Sequence, residues 1–301
     1  MKSGVLCLYK EKGFTSHDAV ARVRRLYRTK KVGHTGTLDP QATGVLPILI
    51  GNAVKACDLL PDESKIYRAK LRFGIETDTE DIWGKVLRED SNRPKRDALE
   101  EATASFIGEY MQVPPMVSAV KIGGKKLYEY AREGKVIERP ARKVFVHSFE
   151  MTDFSEGEAS FVAEVSKGTY IRTLLTDLCA RVGCIGAMSE LERVKSSAFS
   201  LENTVSLDRL EQMSPEDREG ILIPTEELFA SHPAIFLPAF YDKLIANGQA
   251  VLCKKLGIAE PILGTRYRLY RDGRFFALGE IVLTDGEPCL FKIKDFPADQ
   301  V

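Results

Sequence analysis

Twelve residues, Gly33-His34-Thr35-Gly36-Thr37-Leu38-Asp39-Pro40-Gln41-Ala42-Thr43-Gly44, constrain this chain more than any other stretch. Three glycines and a proline within them forbid a regular helix and argue for a shaped loop. A basic segment from Arg22 to Lys31 precedes the loop. An apolar run from Val45 to Ile50, read as a buried strand, follows it. Pro40 biases Asp39 away from the helical region, towards an extended or turn conformation. Taken alone, such an Asp is most simply an Asx-type turn whose carboxylate accepts backbone N–H bonds. The alternative is a carboxylate held beside a strand and projected into a cleft.

The rest of the chain alternates between strand and helix signals. Gly4 to Tyr9 reads as a strand. Thr15 and Ser16 are N-cap candidates, and Asp18 completes part of a capping box. Ala19, Val20, Val23 and Leu26 then follow helical spacing, with Arg22, Arg24, Arg25 and Arg28 on the other faces. Asn52 is a candidate cap for a short helix through Leu60. Residues 66–74 alternate as a strand, which puts Tyr67 with Ala69, Leu71 and Phe73 on the apolar side. A helix is expected over 96–107. Pro114 and Pro115 make the next segment extended, and 123–132 reads as helical. Strands are expected over 142–154 and 159–165, followed by a helix that turns Leu174, Leu175 and Leu178 inward. Residues 200–232 are acidic and loosely helical. Composition shifts at Ser231-His232-Pro233, beyond which short strands and turns dominate. Asp272-Gly273 between two alternating runs is a hairpin signal.

A length of 301 residues suits two domains at about 150 residues each. No apolar run approaches the ~20 residues that span a bilayer, and the N-terminus lacks the core and cleavage site of a signal peptide. The expectation is a cytoplasmic protein with no membrane association. The six cysteines and four histidines are dispersed, without Cys-x-x-Cys or zinc-ligand spacing, so no metal site is expected. The glycine loop is not a nucleotide-binding loop, because no Gly-Lys-Ser/Thr follows it. Net charge is zero, but it is unevenly spread. Residues 1–72 carry 14 Lys+Arg against 6 Asp+Glu, whereas residues 73–111 carry 5 against 10. A basic face balanced by acidic segments fits phosphate binding on one side.

The string from Gly33 to Gly44 closely resembles the active-site motif of TruB-type tRNA pseudouridine synthases. Lys65-x-Tyr67-x-Ala69 resembles another motif of that family, as do Gly74 to Gly84, Gly123 to Arg142, Gly168-Thr-Tyr-Ile-Arg172 and Met188 to Val194. Lys10-x-x-Gly13 with Ser16 is similar to the family's first motif, although Tyr9 and Glu11 replace its Asp and Pro. The resemblance implies an α+β fold: a mixed, largely antiparallel sheet with flanking helices and a central cleft over residues 1–232. It implies an RNA-gripping insertion at about 113–142, where Lys121, Lys125, Lys126, Arg132 and Lys135 interleave with Tyr128 and Tyr130. Residues 235–301 resemble a small PUA-like RNA-binding β-barrel. Asp39 is then the catalytic carboxylate, and Arg172 orients it through a charge-assisted pair. Tyr67 stacks on the target uracil, Tyr170 and Leu191 line its pocket, His34 stacks into the RNA loop, and Lys10 is a further substrate-binding candidate. The acidic run Glu76 to Asp81 does not have EF-hand spacing and reads as a structural turn.

The implied reaction isomerises uridine 55, in the T-arm of tRNA, to pseudouridine. Nothing is oxidised, so no cofactor is expected, and the implied enzyme is a monomer. Two alternatives stand beside it: a non-catalytic RNA-binding or RNA-folding protein on this scaffold, which is a different class, and an enzyme of the guide-RNA-dependent rRNA branch of the same superfamily. The first would be favoured if Asp39, Tyr67 or Arg172 were missing, and all three are present.

Overall fold

The computed structural model of the chain describes residues 2–60 and 64–297. The N-terminal third supplies strands β1 (Gly4–Lys10), β2 (Val32–His34), β3 (Thr43–Ile50) and β4 (Lys65–Phe73), with helix α1 (Ser16–Leu26) after β1. Thr15 is the cap of α1. Its hydroxyl accepts from Asp18 N–H at 3.1 Å, and the Asp18 carboxylate accepts from Thr15 N–H at 2.9 Å, a closed capping box. The expected helix at Asn52 is instead a single 3₁₀ segment, Gly51–Ala56. β4 alternates as its sequence demands, with Tyr67, Ala69, Leu71 and Phe73 buried and Arg68 and Arg72 exposed.

The middle of the chain adds a small hairpin, β5 (Ile75–Thr77) with β6 (Val86–Glu89), then α2 (Arg96–Ala104) and β7 (Gly108–Gln112). A second hairpin, β8 (Lys121–Ile122) with β9 (Lys125–Lys126), leads into α3 (Leu127–Arg132). Long strands β10 (Arg142–Phe154) and β11 (Glu158–Val165), helix α4 (Ile171–Arg181), β12 (Gly186–Ser196) and β13 (Phe199–Ser200) follow. Two short helices, α5 (Leu207–Gln212) and α6 (Pro215–Gly220), and two 3₁₀ turns, Leu201–Asn203 and Thr225–Phe229, make up the helical part of the acidic segment.

Nine of these strands form one sheet. Its path is β1-β3-β12-β4-β11-β10-β7, with β2 on β3 and β13 on β12. Among the described residues its pairings are antiparallel except β3 with β12, which run parallel where Thr43 and Gly44 meet Glu192 and Arg193. The expected mixed, largely antiparallel sheet is therefore present, and the parallel seam lies at the end of the glycine loop. Gly44 makes the seam possible. Its φ is +104°, and a Cβ there would lie 2.2 Å from the Arg193 carbonyl oxygen.

From Ala234 the chain builds a separate curled sheet, in the order β14 (Ala234–Phe236), β16 (Arg266–Arg271), β17 (Arg274–Thr284), β18 (Glu287–Asp295), β15 (Val251–Leu252). Asp272 and Gly273 both have positive φ, 47° and 73°, as a tight hairpin between β16 and β17 requires. A helix, α7 (Ala239–Ala246), interrupts the expected run of strands and turns. Residues 298–301 of the expected C-terminal unit lie outside the described residues. Leu278 and Phe296 of this unit share a core with Val5, Val45 and Phe229, so the second sheet is packed on the first. Among the described residues no helix is long and apolar enough to cross a membrane.

Candidate active site

The loop after β2 is fastened at several points. Ser16, buried in the first turn of α1, accepts from Leu38 N–H at 2.9 Å and donates to Leu38 O at 3.1 Å. Lys10, fully buried at the end of β1, donates to Ala42 O at 2.7 Å, Pro40 O at 3.1 Å and Glu11 O at 3.0 Å. Gly13 N–H donates to Pro40 O at 3.0 Å. Arg193, also fully buried, donates from Nε to Val45 O at 2.7 Å and from Nη2 to Gly36 O at 3.1 Å. These bonds satisfy the carbonyls that an irregular buried loop would otherwise leave unpaired. Asp39 is thus held from both sides.

The Asp39 carboxylate faces a cavity of about 250 Å³. Gly36 to Asp39, Lys65, Tyr67, Val117 to Ala119, Tyr170 to Arg172 and Leu191 line it. Arg172 Nε lies 2.9 Å from Asp39 Oδ2, and Nη2 lies 3.3 Å from Oδ1, a two-point fork. The same guanidinium donates to Thr79 O at 2.7 Å and Val117 O at 3.0 Å, and stands 4.0 Å from Asp81 Oδ2. Its side chain is 3% exposed, while that of Asp39 is 37% exposed. The charge of Arg172 is therefore enclosed and aimed, and the carboxylate keeps a free side for a ligand.

The acidic turn acts on the site from behind. Asp81 accepts from Thr79 Oγ1 at 2.7 Å and Trp83 N–H at 3.1 Å, and Asp78 accepts from Lys85 N–H at 2.8 Å. These bonds hold the Thr79 carbonyl on Arg172. Among the described residues no group of three or more His, Cys, Asp or Glu could hold a metal ion. Glu80 turns inward and accepts from Thr173 Oγ1 at 2.6 Å. Burial pushes its carboxyl above the usual range, against the pull of Thr173 and Arg172.

Of the sequence-expected residues, Asp39, Arg172, Tyr67, Tyr170 and Leu191 come together at the cavity. Tyr67 and Leu191 are each 8% exposed and lie on adjacent strands β4 and β12. Register shifts in β12 at Met188/Glu190 and Arg193/Lys195 bracket Leu191, and such bulges re-aim the side chains around them. Tyr170 caps α4. Its hydroxyl is pushed up by burial, with Arg172 opposing.

Two further substrate-binding candidates do not line the cavity. His34, on β2, is not among the cavity-lining residues, and its buried Nδ1 has no hydrogen-bond partner. Lys10, expected to bind substrate, lies beneath the loop with its ammonium spent on three carbonyls. Burial pulls it down to about 8, with Asp39 opposing and Arg193 adding to the fall. The physical reason for this correction is its register. Lys10 sits opposite Gly44 at the end of β1, so its side chain enters the turn from within the sheet.

Sequence reasoning missed Gln112, which is 2% exposed. Its side-chain amide accepts from Tyr170 N–H at 2.8 Å and donates to Tyr170 O at 3.0 Å, fixing the Tyr170 backbone where α4 starts. It also missed Arg193 as the anchor of Gly36. Each is one polar residue among others in its strand, and only its place beside buried backbone distinguishes it.

The fold has close solved counterparts. A chain of a Cbf5–Nop10–Gar1 complex matches with a TM-score of 0.71 at 24% identity, covering 98% of this chain and 85% of that one. A chain of an H/ACA RNP bound to a substrate RNA containing 2′-deoxyuridine gives 0.70 at 22% identity, over 98% and 85%. These matches cover nearly the whole chain, so the sheet that carries the Asp39–Arg172 fork has the fold of those chains.

Residues 24–171 match the model of the TruB family pseudouridylate synthase N-terminal domain. Residues 172–230 match that of the tRNA pseudouridylate synthase B C-terminal domain. The tRNA pseudouridine synthase B of Alkaliphilus oremlandii is 43% identical over 293 residues, 97% of each chain. That of Oceanobacillus iheyensis is 46% identical over 280 residues, 91% of each. The chain belongs to the TruB family of tRNA pseudouridylate synthases.

Proposed function

We propose that this chain isomerises uridine 55 in the T-arm of tRNA to pseudouridine, with Asp39 as the essential carboxylate. The observation that carries this reading is the fork from Arg172 to Asp39 at a cavity walled by Tyr67, Tyr170 and Leu191. The reaction breaks the C1′–N1 bond, turns the uracil and joins C5 to C1′. No electrons are gained or lost, so no redox cofactor takes part. A base in folded RNA must leave its stack to reach such a cavity. Tyr67 then offers a stacking face, and Tyr170 and Leu191 enclose the ring. The exposed edge of Asp39 meets the charge that develops as the glycosidic bond breaks, and Arg172 keeps it aimed.

Residues 113–142 are the RNA grip in this reading. Lys125 lies 4.8 Å from the Tyr130 ring, and Lys126 and Arg132 lie 5.4 and 5.3 Å from that of Tyr128. Val117 to Ala119 carry the same segment to the cavity wall, so grip and chemistry are joined. The C-terminal sheet, from residue 235, is a PUA-like unit that extends the RNA contact. The enzyme works as a monomer in the cytoplasm.

Tritium release from tRNA labelled at uridine C5 tests the proposal, with wild type and Asp39→Asn side by side. Stoichiometric release at one site by wild type alone is the expected result, with tRNA binding retained by the variant. Tight binding without release by either protein would refute the assignment for this substrate.

A further inference from the structure

Lys65 opens β4 two residues before Tyr67 and lines the cavity. Its ammonium stands over Gly36. A Cβ built on Gly36 would lie 3.2 Å from Lys65 Nζ and 3.6 Å from Arg193 Nη1. Two cations thus converge on one glycine, three residues before Asp39. Any larger residue at 36 would fill the space under the ammonium.

Arg193 is unusual in its own right. It is fully buried, two of its nitrogens hold the Val45 and Gly36 carbonyls, and Nη1 has no hydrogen-bond partner. Among the described residues it forms no ion pair with a carboxylate. Removing a charge from water is costly, and a buried charge is screened far less by salt than an exposed one. Arg193 therefore raises the potential at Gly36. The Arg172 guanidinium, forked onto Asp39, offsets the charge of the nearest carboxylate in the loop. A positive wall beside an aromatic-lined cavity matches a ligand that carries an anion next to a flat ring. In a nucleic acid that anion is the phosphodiester.

We propose that Lys65, backed by Arg193, forms a phosphate subsite that takes a phosphodiester flanking the nucleotide whose base enters beside Asp39. The proposal rests on the RNA-modifying reading above. Lys65 touches the phosphate. Arg193 is a positioning residue, which fixes the Gly36 carbonyl and supplies field from beneath. The subsite places the backbone at the cavity edge, so that the flipped base reaches Tyr67 without a search.

The test is a binding cycle with a T-arm stem-loop RNA. One axis is wild type against Lys65→Met, with Lys65→Arg as the conservative variant and thermal unfolding to check that each folds. The other axis is the natural RNA against RNAs in which one phosphate flanking the target uridine is a neutral methylphosphonate. Lys65→Met is expected to weaken binding of natural RNA about tenfold. It should also flatten the dependence of log K on log salt by about 0.7–0.9. Lys65→Arg restores both. One of the two neutral linkages should weaken wild type by a similar factor and Lys65→Met no further. If the losses add at both linkages, Lys65 touches neither phosphate and the subsite is refuted. Tritium release by wild type, run in parallel, tests the enzyme reading separately. Turnover with additive losses overturns the subsite alone, and binding without turnover overturns the enzyme reading however the cycle falls.

Discussion

Arg172 meets Asp39 at two points, 2.9 Å from Nε to Oδ2 and 3.3 Å from Nη2 to Oδ1, across 133 residues of sequence. The guanidinium also serves the carbonyls of Thr79 and Val117. A lysine can keep the charge but cannot fork the carboxylate and hold both carbonyls together. Arg172→Lys should lower kcat by at least about a hundredfold, the scale seen when one preorganised electrostatic group is lost. KM should change much less. Single-turnover kinetics on labelled tRNA would check this, and an unchanged kcat would exclude the fork from catalysis.

Gly44 accepts the parallel strand β12 at a distance no side chain allows. Gly44→Ala places a Cβ 2.2 Å from Arg193 O on a backbone with φ of +104°. Both the seam and the loop end must shift. The expected loss is about 2–4 kcal/mol of stability, from left-handed strain and disrupted packing together. Denaturant unfolding measures it, and Gly134→Ala is the comparison. Gly134 also has positive φ, but nothing lies within 4 Å of the place its Cβ would take, so only the strain remains.

Lys10 should set an alkaline limit on activity. Its ammonium has been pulled from 10.5 to about 8, chiefly by burial. Above that pH it loses a proton and with it one donor to the carbonyls that hold the loop. Turnover should fall with a midpoint near pH 8, and Lys10→Met should lack that limb. Stability moves the other way on this group's account. The unfolded chain binds the proton more tightly, so between about 8 and 10.5 stability rises with pH. Opposite slopes of kcat and of unfolding free energy across that window are the signature to measure. Parallel slopes would contradict it.

Gln112 holds the backbone N–H and C=O of Tyr170, at the start of α4, by two hydrogen bonds. Gln112→Ala leaves the Tyr170 N–H without this partner beside a buried site, while the Tyr170 C=O still accepts from Leu174 N–H at 3.0 Å. A loss of about 2–3 kcal/mol is expected, near 1 kcal/mol per bond plus the one unsatisfied N–H. Because Tyr170 and Arg172 follow directly, kcat should fall as well. Thermal unfolding and tritium release on the same samples would show both, and a variant that loses stability alone would separate Gln112 from the site.

Much of the site was legible in the sequence because its signals are local. Three glycines and a proline define the loop, alternation sets Tyr67 inward on β4, and the Thr15–Asp18 pair starts α1. The strand β12 was not legible as a strand. Glu190, Glu192 and Arg193 interrupt its apolar pattern, and the interruption is functional, since Arg193 is buried as an anchor. Helix α7 was hidden by its aromatic residues and by its eight-residue length, with Ile245 its buried position.

The sequence alone determined which stretches could be loop, strand or helix, and which residue types stood ready for chemistry. Backbone sterics and side-chain periodicity act over a few residues, so they are written locally. Only the tertiary structure decided that Arg172 forks Asp39, that Lys10 lies under the loop and not in the cavity, and that Arg193 and Lys65 converge on Gly36. Those facts depend on strand order and register, in which β12 is inserted between β3 and β4. A one-residue slip there would turn every side chain of β12 to the other face, and no local pattern records it.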